Sequence, residues 1–139
     1  MQQVSTRYGG TGAGQQATIL LAQVLYEQKN YQTGVNVLEK AQSDASKQNV
    51  AAFNAMTAAG YEGLQNWAKA AEFYAKAADA SEFHKDKANY RASQARSLML
   101  AGKTDLAKPI WQELKDGSDA QFAQEARVRL GEIAGAATK

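Results

Sequence analysis

Gly60-Tyr61-Glu62-Gly63-Leu64-Gln65-Asn66-Trp67-Ala68-Lys69-Ala70 joins two helical patterns. Residues 50–61, which run into it, are Ala-rich and almost free of β-branched side chains. Residues 67–80, which leave it, carry Ala70, Phe73, Tyr74 and Ala77 at spacings of three and four, one face of a helix. Asn66 precedes the second pattern, where a short side-chain acceptor caps free backbone N–H groups. Residues 46–81 therefore read as two helices joined by a tight turn.

The same arrangement recurs on either side. Ala58 and Ala70 lie twelve residues apart, one on each helix, and the same interval joins Ala22 to Gly34 and Ala95 to Ala107. Three residues after the first member stand Leu25, Tyr61 and Leu98; four after the second stand Leu38, Tyr74 and Trp111; seven after it stand Ala41, Ala77 and Leu114. The shift between copies is 36 residues, then 37. Small side chains let helix backbones cross closely, and large ones fill the gaps between them.

The pattern small-x2-large on the first helix, then small-x3-aromatic-x2-small on the second, resembles the tetratricopeptide repeat over residues 15–116. The copies depart from that family at the first-helix Trp position (Thr18, Asn54, Arg91) and at its Leu position (Leu21, Thr57, Gln94). They also lack its closing proline and are two or three residues longer. The closing run Asp119-Ala120-Gln121-Phe122-Ala123-Gln124-Glu125-Ala126-Arg127-Val128-Arg129-Leu130-Gly131-Glu132-Ile133 and the lead-in Arg7-Tyr8-Gly9-Gly10-Thr11 are similar to bacterial cell-envelope members of the family. Those members include ones attached to the Sec translocon and to the Tol-Pal system. The resemblance implies an all-α, right-handed solenoid of about three helix pairs with a C-terminal capping helix. It also implies a periplasmic protein, or one anchored in a membrane and facing the periplasm; a cytoplasmic one fits the residues as well.

Length and composition set outer bounds. A chain of 139 residues suits one domain that buries roughly two-thirds of its unfolded surface. Sixteen basic and fourteen acidic residues leave a net charge of +2, too balanced to point to nucleic acid. No apolar run is long enough to span a bilayer, and Met1 is followed by polar residues and glycines rather than by a signal peptide. The start reads as a fragment boundary, a mature end or a natural soluble start. An absence of cysteine removes disulfides, thiolate metal sites and cysteine nucleophiles together.

Residues 1–14 read as a flexible Gly-rich lead-in. Gly9-Gly10-Thr11-Gly12-Ala13-Gly14 lacks the preceding strand and the lysine of a phosphate-cradling loop. The solenoid is expected over residues 15–134, as repeats 15–46, 47–83 and 84–117 and a cap at 118–134, with 135–139 as a frayed tail. Helices are expected over 15–28, from after the turn Lys29-Asn30-Tyr31 to about 45, and over 47–63, 67–79, 87–101, 104–115 and 118–133. Ser118 and Gln121 have capping-box spacing at the start of the last one. Its buried stripe is expected to be Phe122, Ala126, Leu130 and Ile133. Pro109 falls about a turn inside its helix, where the lost backbone bond costs little. Gly34 gives up about 1 kcal/mol of helix propensity against Ala, which a close crossing against Ala22 explains.

Catalysis needs titratable groups that converge in a dry site. The one histidine, His84, is placed by the sequence in an inter-repeat connection beside Lys85 and Asp86, where it reads as a surface residue. One histidine makes no two-histidine metal site, and no acidic calcium loop occurs. Carboxylates pair with lysines at helical spacing, as Glu72 does with Lys76. Ser93 and Ser97 have no histidine near them in sequence. The expectation is a non-enzyme with no cofactor and no metal. The basic residues Lys85, Lys87, Arg91, Arg96 and Lys103 form no single stripe and read mainly as solvated.

By resemblance, the first helix of each pair lines a concave groove. That places Gln16, Ile19, Gln23 and Tyr26 there from the first pair. The second contributes Ala52, Ala55, Ala59 and Glu62, and the third Asn89, Ala92, Arg96 and Met99. Arg96 is suited to holding a carboxylate. The family's carboxylate clamp needs two Asn and two basic residues, of which Asn89 and Arg96 supply only part. Two readings of these positions stay open: a groove for a protein or peptide segment, or the plain coating of a narrow superhelix. Tyr26 and Met99 fit a core equally well. The function expected is an adaptor or scaffold binding a partner segment. The alternative is a structural or self-associating module of a larger membrane-associated complex.

Overall fold

A computed structural model describes residues 12–138. Among them are seven α-helices and no strand: α1 (Gly12–Glu27), α2 (Tyr31–Ala41), α3 (Val50–Gly63), α4 (Trp67–Ala80), α5 (His84–Leu100), α6 (Thr104–Lys115) and α7 (Ala120–Ala137). A short 3₁₀ turn, Gln42–Asp44, follows α2. Each helix packs on its neighbours in sequence, α1 also touches α3, and α5 touches α7. This all-helical packing fits a helical repeat, in which each unit covers only its neighbours.

The repeat is visible in the backbone of the turns. The N–H groups of Asn30, Asn66 and Lys103 donate to the carbonyls of Leu25, Tyr61 and Leu98, at 2.8–2.9 Å. The N–H groups of Lys29, Gln65 and Gly102 donate to Tyr26, Glu62 and Met99. These paired bonds form the Schellman closure of a helix, which needs a left-handed residue just past its end. Lys29 (φ 63°), Gln65 (φ 58°) and Gly102 (φ 76°) occupy that position. Two of the three carry a Cβ that the conformation disfavours. Lys29→Gly and Gln65→Gly are therefore expected to raise stability by about 0.5–1 kcal/mol each. Gly102→Ala is expected to lower it by a similar amount. Urea titrations of the three variants read the signs directly.

Inside the array the core forms three local clusters in chain order. The first gathers Ala22, Leu38 and Phe53 with Ile19, Tyr26 and Met56 against them. The second gathers Ala58, Ala70, Phe73 and Tyr74 with Tyr61 and Tyr90. The third and largest surrounds Trp111 with Ala92, Ala95, Leu98, Ala107, Leu114, Phe122 and Ala126. Every member of the three twelve-residue pairs is buried. Gly34 has a more specific reason than the expected crossing with Ala22: a Cβ there would sit 2.5 Å from the Tyr26 ring.

Polar residues at the departing positions satisfy themselves locally. The Thr57 hydroxyl donates to the Phe53 carbonyl and the Thr18 hydroxyl to the Gly14 carbonyl. Buried Asn54 donates to the Val50 carbonyl and accepts from Gln42. Gln15, only 2% exposed, was read from sequence merely as the start of a helix. Its amide donates to the Asp44 carbonyl and accepts from the Ser46 N–H and from Asn49. It thereby fastens the link between α2 and α3 onto α1.

Several boundaries differ from those expected. Helix α1 begins at Gly12, inside the segment read as a lead-in; the rest of that lead-in, residues 1–11, lies outside the described residues. Helix α5 begins at His84, so His84 and its neighbours occupy a first helical turn rather than a connection. Asp119, not Ser118, caps α7, accepting from the N–H groups of Gln121 and Phe122. That helix runs on to Ala137, through most of the supposed tail, because nothing after Asp119 opposes helix but isolated glycines. Asn66 caps α4 as expected, accepting from the Lys69 N–H at 3.3 Å.

Candidate functional site

The first two turns of α5 are polar and exposed, and three clefts meet along them. On one side a cleft of about 400 Å³ lies between the start of α3, the end of α4 and α5, with Ala51, Ala52, Phe83, Asp86 and Tyr90 in its walls. Asp86 also lines a second, of about 270 Å³, that continues toward α7 past Asn89, Arg96, Gln121 and Phe122. Lys85 is shared between this one and a third, of about 330 Å³, bounded by α5, the end of α6 and the start of α7. The first two clefts share Asp86 as a lining residue and together border α3, α5 and α7; this run of surface is the candidate path.

Three of the residues assigned to a groove from sequence, Ala52, Asn89 and Arg96, are brought onto this path. Ala55 and Ala59 are half-buried on α3 without lining it, and Gln16, Ile19 and Gln23 on α1 do not reach it. Gln16 instead donates to Asn49 at 3.3 Å. Ala92 has no exposed surface and is part of the Trp111 cluster, so it contacts no partner directly. Met99 packs on that cluster, and its sulfur accepts from the Trp111 indole N–H at 3.2 Å. Tyr26 is wedged between α2 and α3, its hydroxyl donating to the Met56 carbonyl at 2.8 Å. Both of these side chains are partly buried and pack against core clusters.

Arg96 does hold a carboxylate, but one from its own chain. Its Nε and one terminal nitrogen each donate to a separate oxygen of Glu125 on α7, both at 2.7 Å. Such a two-point pair fixes orientation as well as distance. Arg129 approaches the same carboxylate at 3.5 Å. The hydrogen bonds from Arg96 hold the Glu125 carboxyl below the usual carboxylate range; the charges of Arg96 and Arg129 add to this, and burial opposes it. A depressed folded pKa contributes stability that is present above the unfolded value and is lost as the pH falls through the folded one. The melting temperature is therefore expected to drop on acidification below pH 4.5, the ordinary value for this group. Arg96→Gln should flatten part of that drop, and identical acid profiles for the two proteins would refute the assignment.

Glu62 is likewise engaged, accepting a hydrogen bond from the Tyr74 hydroxyl. Burial first, then this bond to a carboxylate, pushes the Tyr74 phenol well up, and burial does the same for Tyr26. Tyr61, which donates to Glu39 at 2.7 Å, is pushed up to about 12. All three phenols are thus neutral donors at physiological pH.

The basic residues of α5 and the turn after it divide three ways. Arg96 is paired with Glu125; Lys103 lines a separate cleft against α4; Lys85, Lys87 and Arg91 share the third cleft with His84. Sequence reading missed Phe83, Tyr90, Gln121 and Phe122 as path residues. Phe83, 69% exposed, carried one signal: it is a lone large apolar residue in the polar run of residues 81–87. Among the described residues no helix is long and apolar enough to cross a membrane, and no cluster of three metal-ligating side chains occurs. No family model, curated protein or solved structure matches the chain.

Proposed function

We propose that the chain is a non-enzymatic adaptor of tetratricopeptide type, a right-handed solenoid that binds an extended or helical segment of another protein along the concave path of α3, α5 and α7. The observation that carries this reading is that Asp86 lines both clefts, so that they adjoin along α5. Small Ala51 and Ala52 leave room on one wall, exposed Phe83 offers an apolar contact, and Asn89 and Gln121 offer hydrogen bonds. Repeat arrays hold such long surfaces on a stiff frame, which suits partner binding rather than turnover. The proposed setting is a bacterial cell envelope, on the likeness of the closing helix and lead-in to envelope members of that family.

A photo-crosslinking amino acid placed at Asn89 or Gln121 tests the path. Controls carry it at Lys40 and Lys108, which are exposed and line none of these clefts. The groove positions should capture a common protein that the controls do not. Equal capture from all four positions would reject the reading.

A second reading, self-association, is favoured by α1, where Leu20 is 50% exposed beside half-buried Leu21 and Val24. Stacking of α1 on another copy would make the protein a structural module. Light scattering over a concentration series separates that assembly from a monomeric adaptor.

A further inference from the structure

We propose that the cleft between α5, the end of α6 and the start of α7 binds a small organic phosphate, with Lys85, Lys87 and Arg91 holding the phosphoryl oxygens and Ala88 and Leu114 receiving the organic body. All five side chains line one cavity of about 330 Å³, which is within the size range of small-molecule pockets.

The cations are poorly compensated. Lys85 and Lys87 are exposed and have no ion-pair partner among the described residues. Arg91 reaches only a neutral Gln94 at 3.1 Å and, at 4.0 Å, a largely exposed Asp79. Its Nε is buried and has no hydrogen-bond acceptor among the described residues. Lys87 and Arg91 also stand one helical turn apart, a like-charge spacing that is unfavourable on its own. A bound dianion relieves that repulsion.

Two carboxylates share the cavity wall. Asp119 is occupied in capping α7, and Glu113 has no ion pair among the described residues. Both repel an anion, and against the three cations they leave the wall an excess of one positive charge. Three separate donor side chains also suit the three free oxygens of a phosphate monoester better than the two of a carboxylate. The cavity exceeds what inorganic phosphate fills, and its apolar wall suits an attached carbon skeleton.

The test is an amide-resolved NMR titration of the full chain with phenyl phosphate, inorganic phosphate and benzoate. Phenyl phosphate is expected to give saturable shifts at residues 84–88 and 113–119, with weaker binding of inorganic phosphate and none of benzoate. Lys87→Gln and Arg91→Gln should each weaken phenyl phosphate by at least about tenfold. Lys87 is exposed, so its variant keeps the fold even if Arg91 proves structurally important. The assignment is overturned by any of three results: no saturable shift up to about 10 mM, benzoate or inorganic phosphate binding as tightly as phenyl phosphate, or parental affinity in the Lys87 variant. Neither variant alters a residue lining the concave path, so this site and the adaptor reading fail separately.

Discussion

Trp111→Ala is expected to lower stability by about 3–5 kcal/mol and the melting temperature by roughly 10–20 °C. Trp111 is completely buried at the centre of the largest cluster, where α5, α6 and α7 meet. Removing the indole opens a cavity that helices tied by short turns close only in part, so a cavity cost adds to the lost burial. It also takes the N–H donor away from the Met99 sulfur. Trp111→Phe retains most of the volume and should cost much less. Urea unfolding followed by circular dichroism gives both values; a loss below about 1 kcal/mol for the alanine variant would mean the third unit is not packed around this ring.

Gly60→Ala reverses an ordinary expectation. Within an exposed helix this exchange stabilises by about 1 kcal/mol, through backbone entropy. Gly60 is interior to α3 and faces Tyr26 and Val35. An added Cβ would lie closer to the Tyr26 hydroxyl and a Val35 methyl than any relaxed contact allows, and 2.7 Å from the tyrosine Cζ. Tyr26 is held by its bond to Met56 and by its fit over Gly34, so it has little room to yield. Gly60→Ala is expected to destabilise by about 1–3 kcal/mol. In a Tyr26→Leu background the tyrosine's share of the obstruction is gone while the Val35 methyl remains, and the same exchange should cost less than in the parent. A double-mutant cycle reads this as a coupling energy. Additive effects would show that the ring does not lie between α2 and α3 as described.

Much of the helical framework was legible in the residues. Ala58, Ala70, Tyr74 and their counterparts are buried where the spacing placed them, because helical period and side-chain size are both properties of the sequence. The closures at Leu25, Tyr61 and Leu98 recur at the shifts of 36 and 37 residues for the same reason. The start of α5 was less accessible. Ser81-Glu82-Phe83-His84-Lys85-Asp86 has no apolar period, and no side chain caps the helix that begins at His84, so the segment looked like a connection. Gln15 was missed because a glutamine carries no mark of burial until three partners from the α2–α3 link surround it.

The candidate groove divides along the same line. Periodicity assigned Asn89, Ala92, Arg96 and Met99 to one helix, but their surroundings depend on which element covers that helix. Ala92 is enclosed in the Trp111 cluster, Arg96 is joined to Glu125 of α7, and Asn89 stays exposed. The sequence by itself determined the helices, their turns and the small and large positions at which they cross, since those follow from local propensity and spacing. Only the tertiary structure decided which side chains face a cleft and which charges find a partner within the chain. Exposure and pairing depend on contacts between residues distant in sequence, such as the 29 positions that separate Arg96 from Glu125.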